Sequence, residues 1–496
     1  MEHMTQYVRR DIWSLEEPTP WDPVTLGYAR AVDVMRGRPA DDPTSWDYQA
    51  AMHGTYARPP AGADWNQCQH ASWFFTSWHR MYVYFFERIV RSVVTDTGGP
   101  QDWALPYWNY STGGPQAALP PAFREATWTG PDGRGGPNPL YTDRRAPGAN
   151  LGWRLPQRAV SFEDAYSYTN FSGAPLPGFG GGQADPTQFG QFTGALENRP
   201  HNVVHDLVGG PTSGACQGGL MSDPNCAAQD PVFWLHHANI DRLWTNWAAL
   251  GGGRANPADR SWLDQEFTFY DENGKPVQMS ASDILHTATQ LGYRYDDQVA
   301  AVTSLRSQPL AAVGGAAAKA APQPAPTMVA ASESGVELGA GTAQVRVPMA
   351  AGAGAGLAVG EPQVTDGERR HVYLNVEGVQ AEKHPGVVYE VYLNMPDGTD
   401  PVQADNFFVG HVTFFGAGKH ADADGAHPAT GGMTHTFDVT GLVAHLKAAG
   451  AWRAEAAQVS FQPLGLTPPP GAAAPAAAGP APGHNARIAR VSLSVH

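Results

Sequence analysis

Apolar side chains recur at helical spacing through the first half of the chain and alternate at strand spacing through its last third. Tyr28, Ala31, Val32 and Met35 mark a first helix, with Asp22 and Pro23 as its cap and first residue. From Trp78 onward, Met81, Tyr82, Phe85, Phe86, Ile89 and Val90 form one stripe, and Arg80, Glu87, Arg88 and Arg91 lie off it. A further amphipathic run carries Phe233, Leu243, Trp244 and Trp247 as core contacts. Residues 100–195 are rich in Pro, Gly and aromatics, the composition of irregular chain wrapped around a helical bundle. A short Trp262–Tyr270 segment and a helix-like run through Ile284, Leu285 and Leu291 close a first domain, residues 1–306.

Residues 307–340 are Ala/Pro/Gly-rich and poor in large apolar side chains, which predicts a linker. Beyond it, HVYLNVEGV (371–379), VVYEVYLNM (387–395), NFFVGHVTFF (406–415), THTFDVT (434–440), AQVSFQPL (457–464) and ARIARVSLSV (486–495) alternate and are separated by turn residues. That pattern predicts an antiparallel β-sandwich over residues 341–496, with a long Ala/Pro loop at 466–483.

A length of 496 residues with 42% hydrophobic content and 15 Trp supports a large core. A net charge of −15 argues against nucleic acid or an anionic membrane as a partner, since either selects a basic face. No apolar run reaches membrane-spanning length and MEHMTQYVRRDIWSL lacks a secretory core, so a cytoplasmic location is expected, with export alongside a partner protein left open. The three cysteines, Cys68, Cys216 and Cys226, are too few for a disulfide framework; Cys216 and Cys226 are close enough in sequence to pair, with two buried or unpaired thiols as the favoured expectation.

The histidines change this picture. His201 and His205 are four apart, so on a helix they share one face, about 6 Å apart along the axis. His237 follows on the third amphipathic run, and a separate region supplies His53, His70 and His79. One HxxxH is a common accident, but two regions with three histidines each, both running into aromatic-rich helices, predict a paired metal site. Imidazole alone leaves copper, zinc, iron and nickel open.

The chain resembles the tyrosinase, catechol oxidase and haemocyanin family of coupled dicopper proteins. The resemblance rests on His53, on His70 and His79 with eight residues between them, on ExxPHNxxH from Glu197 to His205, and on DPVFWLHHANIDRLW from Asp230 to Trp244. It implies a mainly α catalytic domain whose central four-helix bundle holds two copper ions, with dioxygen as co-substrate and a phenol as substrate. His53, His70 and His79 are the implied ligands of one copper; His201, His205 and His237 are those of the other, with His236 beside them. Cys68, two residues before His70, matches the spacing of a Cys–His thioether in part of the family, and such a bond is expected here.

The same resemblance places Glu197 and Asn202 where tyrosinases hold and polarise a water, which favours monophenol hydroxylation over catechol oxidation alone. Asp206 is expected to add negative potential, Asp241 to steady a ligand histidine, and Met221 or Pro224 to shape the pocket mouth. A haemocyanin-like oxygen carrier is the competing class, and a binuclear zinc hydrolase ranks below both because carboxylate ligands are missing. The C-terminal region is similar to domains that cover the copper site in related proenzymes. It is expected to act as an intramolecular lid through NFFVGHVTFF, with docking made pH-sensitive by His411, His420, Asp422, Asp424 and His427. A homo-oligomer is compatible with the sequence.

Overall fold

The structure is a computed structural model. It describes residues 6–15, 20–129, 135–173, 176–298, 326–350, 371–400, 403–417, 432–453, 455–471 and 480–496. Residues 420, 422, 424 and 427, most of the expected linker and part of the Ala/Pro loop lie outside these.

The first domain is helical. Helix α1 (Pro23–Arg36) starts where Asp22 accepts a hydrogen bond from the Val24 backbone N–H at 2.7 Å and Pro23 takes the first position, as the sequence predicts. Ser45 caps α2 (Trp46–His53) through the Tyr48 N–H at 3.1 Å, and α2 ends on His53. Helix α3 (Phe75–Asp96) is the longest and buries its apolar stripe from Trp78 to Val94. The short α4 (Val203–Gly209) is buried on every side. Helix α5 (Pro231–Ala249) begins at Asp230, which caps the Val232 N–H at 3.0 Å, and is buried through most of its length. Trp46, Trp78, Trp234, Trp244, Trp247 and Trp262 fill the space between these helices.

The end of this domain departs from expectation. A two-stranded antiparallel hairpin, Glu266–Tyr270 with Pro276–Ser280, is followed by two single-turn helical segments, Ala281–Asp283 and Thr287–Leu291, in place of one continuous helix. The segment Tyr293–Tyr295 then pairs in parallel with Tyr7–Arg9, tying the domain's end to its start.

The second domain is a sandwich of two antiparallel sheets. Its strands are β1 (Thr327–Ala331), β2 (Ala343–Pro348), β3 (Val372–Val379), β4 (Val388–Leu393), β5 (Phe408–Val412), β6 (Met433–Asp438), β7 (Ala456–Leu464) and β8 (Arg490–Val495). One sheet runs β6-β3-β8-β1 and the other β5-β4-β7-β2. A helix, α6 (Thr440–Ala448), was not expected from the strand pattern. The linker boundary also needs correction: β1 pairs with β8, and Val336–Glu337 pairs with Arg487–Ile488, so the sandwich begins before residue 341. Short, Ala-rich strands buried on one face carry too little apolar signal to read in isolation. Among the described residues, no helix is long and apolar enough to cross a membrane.

Candidate metal centre

The six predicted ligand histidines converge in the helical core, all at most 3% exposed. His53 ends α2, His70 lies in the turn before α3, His79 is in the first turns of α3, His205 is in α4 and His237 is in α5. His201 sits in the irregular turn Glu197–Asn202 that leads into α4, where Arg199 takes an extended conformation. Three sets have ligand atoms within 4.8 Å of one another: His53, Cys68 and His70; His53, His79 and His237; and His201, His205, His236 and His237. The sets overlap at His53 and His237, so they form one continuous site. The Nε2 atoms of His205 and His237 are 3.3 Å apart.

Four of these rings have Nδ1 committed to an oxygen. His53 donates to the Pro224 carbonyl at 2.9 Å, His79 to Phe75 O at 2.8 Å, His201 to Asn202 Oδ1 at 2.8 Å and His205 to Met221 O at 2.7 Å. A proton fixed at Nδ1 leaves the Nε2 lone pair for a cation. The Nε2 atoms of His53, His79 and His201, and both ring nitrogens of His70, are buried with no hydrogen-bond partner. Burial holds His53 near a pKa of about 4 and His201 near about 3. It pushes His70, His79, His205 and His237 well below the usual imidazole range, with neighbouring imidazoles adding to the shift. A buried, neutral, all-imidazole donor set with unpartnered nitrogens fits a pair of borderline-soft metal ions such as copper. His236 presents Nδ1 to the Tyr110 hydroxyl at 3.1 Å, while its Nε2 is buried without a partner.

The neighbouring residues differ from expectation in several ways. Met221 is fully buried, and both Met221 and Pro224 act on ligand rings through their backbone carbonyls, a role that the sequence does not show. Asp241 makes no hydrogen bond to a histidine. Its carboxylate instead joins Arg9, Arg80 and the hydroxyls of Tyr293 and Tyr295 in a buried charge cluster, because its turn of α5 faces two arginines. Cys216 and Cys226 are disulfide-bonded with Cα atoms 5.4 Å apart, which corrects the expectation of unpaired thiols. A tight Gly-rich turn returns the chain on itself, and composition does not report such proximity. Cys68 is a buried free thiol whose Sγ accepts from Gln188 Nε2 at 3.5 Å, and burial raises its pKa.

Glu197 is buried, and both carboxyl oxygens face the Ala71 backbone N–H, at 2.8 and 3.0 Å. Desolvation nonetheless pushes its pKa up to about 8. Asn202 orients His201 and reaches Thr413 Oγ1 at 3.5 Å with Nδ2.

Thr413 belongs to the second domain, which closes over this centre. Phe415 stacks on His205 with ring centroids 4.1 Å apart and lies 5.4 Å from His70 and 5.6 Å from His201. Asp206 is fully buried because the second domain covers α4. One of its oxygens accepts the Phe414 N–H at 2.7 Å and the other pairs with His384 Nε2 at 2.8 Å. His384 Nδ1 accepts the Gly386 N–H, which leaves Nε2 as the protonated nitrogen. His435 Nδ1 faces Asn198 Oδ1 at 3.0 Å. Phe415 lay within a segment that the sequence singles out, whereas His384 and Asn198 carry no local signal.

Residues 43–250 match the common central domain of tyrosinase and residues 256–308 match the polyphenol oxidase middle domain. Residues 43–308 of the chain thus carry the matched domains of the tyrosinase/polyphenol oxidase family.

Residues 325–469 match a domain of unknown function. The chain is 39% identical to a tyrosinase of Hahella sp. (strain CCB-MM4) over 313 residues, covering 58% of this chain and 62% of that protein. It is 34% identical to the latent form of a chloroplastic polyphenol oxidase of Prunus armeniaca over 295 residues, covering 54% of this chain and 46% of that protein. The chain thus spans about half to three fifths of the length of these relatives. The structure of latent apple tyrosinase superposes with a TM-score of 0.60 at 22% identity, covering 99% of this chain and 97% of that one, so the fold extends through both domains. Latent aurone synthase superposes with the same TM-score at 21% identity, over 100% of this chain and 90% of that one. The family is one of type 3 dicopper phenol oxidases, and the histidine clusters are suited to a copper site.

Proposed function

We propose that this chain is a tyrosinase held in a closed state by its own C-terminal domain, using dioxygen to hydroxylate monophenols at the ortho position and to oxidise o-diphenols to o-quinones. The observation that carries the reading is the overlap of two buried histidine sets beneath Phe415. His53, His70 and His79 would hold one copper, and His201, His205 and His237 the other, with His236 held aside by Tyr110. When bound, the copper pair supplies dioxygen binding and two-electron redox chemistry. Every other contribution comes from the chain. The carbonyls of Pro224, Phe75 and Met221 and the Asn202 amide oxygen fix the imidazoles in the Nδ1–H tautomer. Phe415 fills the face of His205 on which a substrate ring of similar size would lie, so the second domain acts as a lid and the phenol enters when it withdraws. Glu197, once deprotonated, accepts the phenolic proton before hydroxylation, and the burial that raises its pKa to about 8 makes it a stronger base than a solvated carboxylate. The Cys68 thiol, beside His53 and His70, is placed to form a thioether to a ring carbon of His70; the step breaks the S–H and C–H bonds and passes two electrons and two protons to dioxygen, a loss of two hydrogens in intact mass.

Oxidation of catechols alone is the second reading. In its favour, the Glu197 carboxylate is turned to the Ala71 N–H and the Asn202 amide oxygen to His201. Quinone formation by the copper-loaded chain with tyrosine and then catechol separates the two. Turnover of both supports a tyrosinase, and turnover of catechol alone supports the second reading. Reversible oxygen binding without turnover would indicate a carrier.

A further inference from the structure

The loop between α4 and α5 does more than connect them. Its Met221 carbonyl holds His205 and its Pro224 carbonyl holds His53, so one short segment orients an imidazole in each of the two histidine sets. The loop lies directly against both. An added Cβ on Gly54, the residue after His53, would come within 2.6 Å of Pro224 O. Ser222 Oγ donates to the backbone carbonyls of His205 and Asp206 at 3.3 and 3.1 Å, and Tyr56 donates to Asp223 at 2.8 Å.

The two ends of this segment are joined by the Cys216–Cys226 disulfide. Cys226 is buried two residues after Pro224, at the start of the turn that leads to the α5 cap. Cys216 is partly exposed and takes a positive φ of 56°, a conformation that side-chain-bearing residues seldom adopt without support. Its carbonyl receives Arg144 Nη1 at 2.8 Å, and Arg144 O accepts the Leu220 N–H at 3.0 Å. The bond therefore closes a clamp around both orienting carbonyls, with Cys216 as its partly exposed end.

We propose that the Cys216–Cys226 disulfide is a positioning element for the metal centre, and that its reduction weakens the hold on both coppers together. Reduction by a dithiol breaks the S–S bond, takes up two electrons and two protons, gives two thiols, and oxidises the dithiol to its own disulfide. Freed at Cys216, the loop loses the closure that keeps Met221 O and Pro224 O against the Nδ1–H groups. Groups that orient metal-bound imidazoles contribute roughly 10- to 100-fold to metal affinity. The inference rests on the dicopper reading above.

The test compares the full-length wild type with C216S/C226S, each with copper removed and titrated with Cu(I) against a competing chelator, alongside thermal melts of the metal-free proteins. The expected result is two coppers per chain in both, with affinity at both positions lowered about 10-fold or more in the variant. Wild type that is reduced after folding and alkylated at the two freed thiols should show the same loss, which keeps the test valid if the variant folds poorly. Copper affinity equal to wild type in a folded variant, even with a lower melting temperature, overturns the proposal, because a purely structural crosslink predicts that pattern. A loss confined to one copper also overturns it. A wild type that binds no copper overturns this proposal and the dicopper reading alike.

Discussion

Phe415 of the second domain lies nearly parallel to the ring of His205, with centroids 4.1 Å apart and planes 23° apart, on a strap whose Phe414 N–H is held by the neighbouring Asp206. A residue from a distant sandwich thus covers a candidate ligand, and the adjacent residue on the same helix anchors it. The stacking places an aromatic ring where a phenol would otherwise sit. Replacing Phe415 by Ala should raise kcat/KM for a small catechol at least 10-fold in the uncleaved protein, at an interface cost of about 3 kcal/mol. Oxygen uptake measures the first, and copper content should stay at the wild-type value. Unchanged activity at full copper loading would mean that Phe415 is not the barrier.

Asp206 anchors the strap through both oxygens, one to Phe414 N–H and one to His384. Asp206→Asn replaces the carboxylate that faces the His384 Nε2–H by a neutral amide, weakening a charge-assisted contact by about 1–2 kcal/mol. Limited proteolysis should release the second domain faster in this variant, and His384→Gln should do the same to a smaller degree. Equal cleavage rates in all three proteins would remove the pair from the docking account.

Glu197 gives a pH-dependent prediction with a definite sign. Its pKa rises from 4.5 to about 8 in the folded chain, so the folded protein keeps a proton that the unfolded chain loses. That contribution to stability is fully present below about pH 4 and is lost as the pH rises toward about 8. Metal-free Glu197→Gln should therefore show a flatter decline in melting temperature between pH 5 and 9 than the wild type. With copper bound, the same variant should lose roughly 100-fold in tyrosine hydroxylation and little in catechol oxidation, the pattern expected when a base is removed. Parallel loss on both substrates would assign Glu197 a structural role only.

The ligand histidines titrate in the opposite sense. With His53 held near about 4 and His201 near about 3, below the usual 6.5, the unfolded chain takes up protons first as pH falls. Stability contributed by the neutral rings is present above pH 6.5 and is lost as the pH drops through the folded values. The metal-free protein should lose melting temperature steadily between pH 7 and 4, whereas copper content should stay constant down to about pH 5. Copper release beginning near pH 6.5 would show that the imidazoles are solvated.

These residues also mark what a sequence shows and what it hides. The six histidines were legible because each stands in a local motif on or beside an amphipathic helix. Asp206 and Phe415 are more than 200 positions apart, and helical periodicity alone reads Asp206 as a surface carboxylate when the covering domain is not in view. Met221 and Pro224 act through backbone carbonyls, which any residue type carries, so their side chains suggested a pocket mouth instead. Asp241 lay one turn from His237 and invited a link to it, but the two arginines that claim it come from Tyr7–Arg9 and α3. The two domains were clear from the change of hydrophobic period, while β1 was hidden by its Ala-rich composition.

The central claim, a dicopper phenol oxidase closed by its own second domain, is tested most directly by oxygen uptake on the copper-loaded full-length chain with catechol, before and after cleavage near residue 310. The account predicts two coppers per chain, slow uptake before cleavage, and at least 10-fold faster uptake once the second domain has left. Equal rates before and after cleavage, or no uptake with both coppers in place, would contradict it.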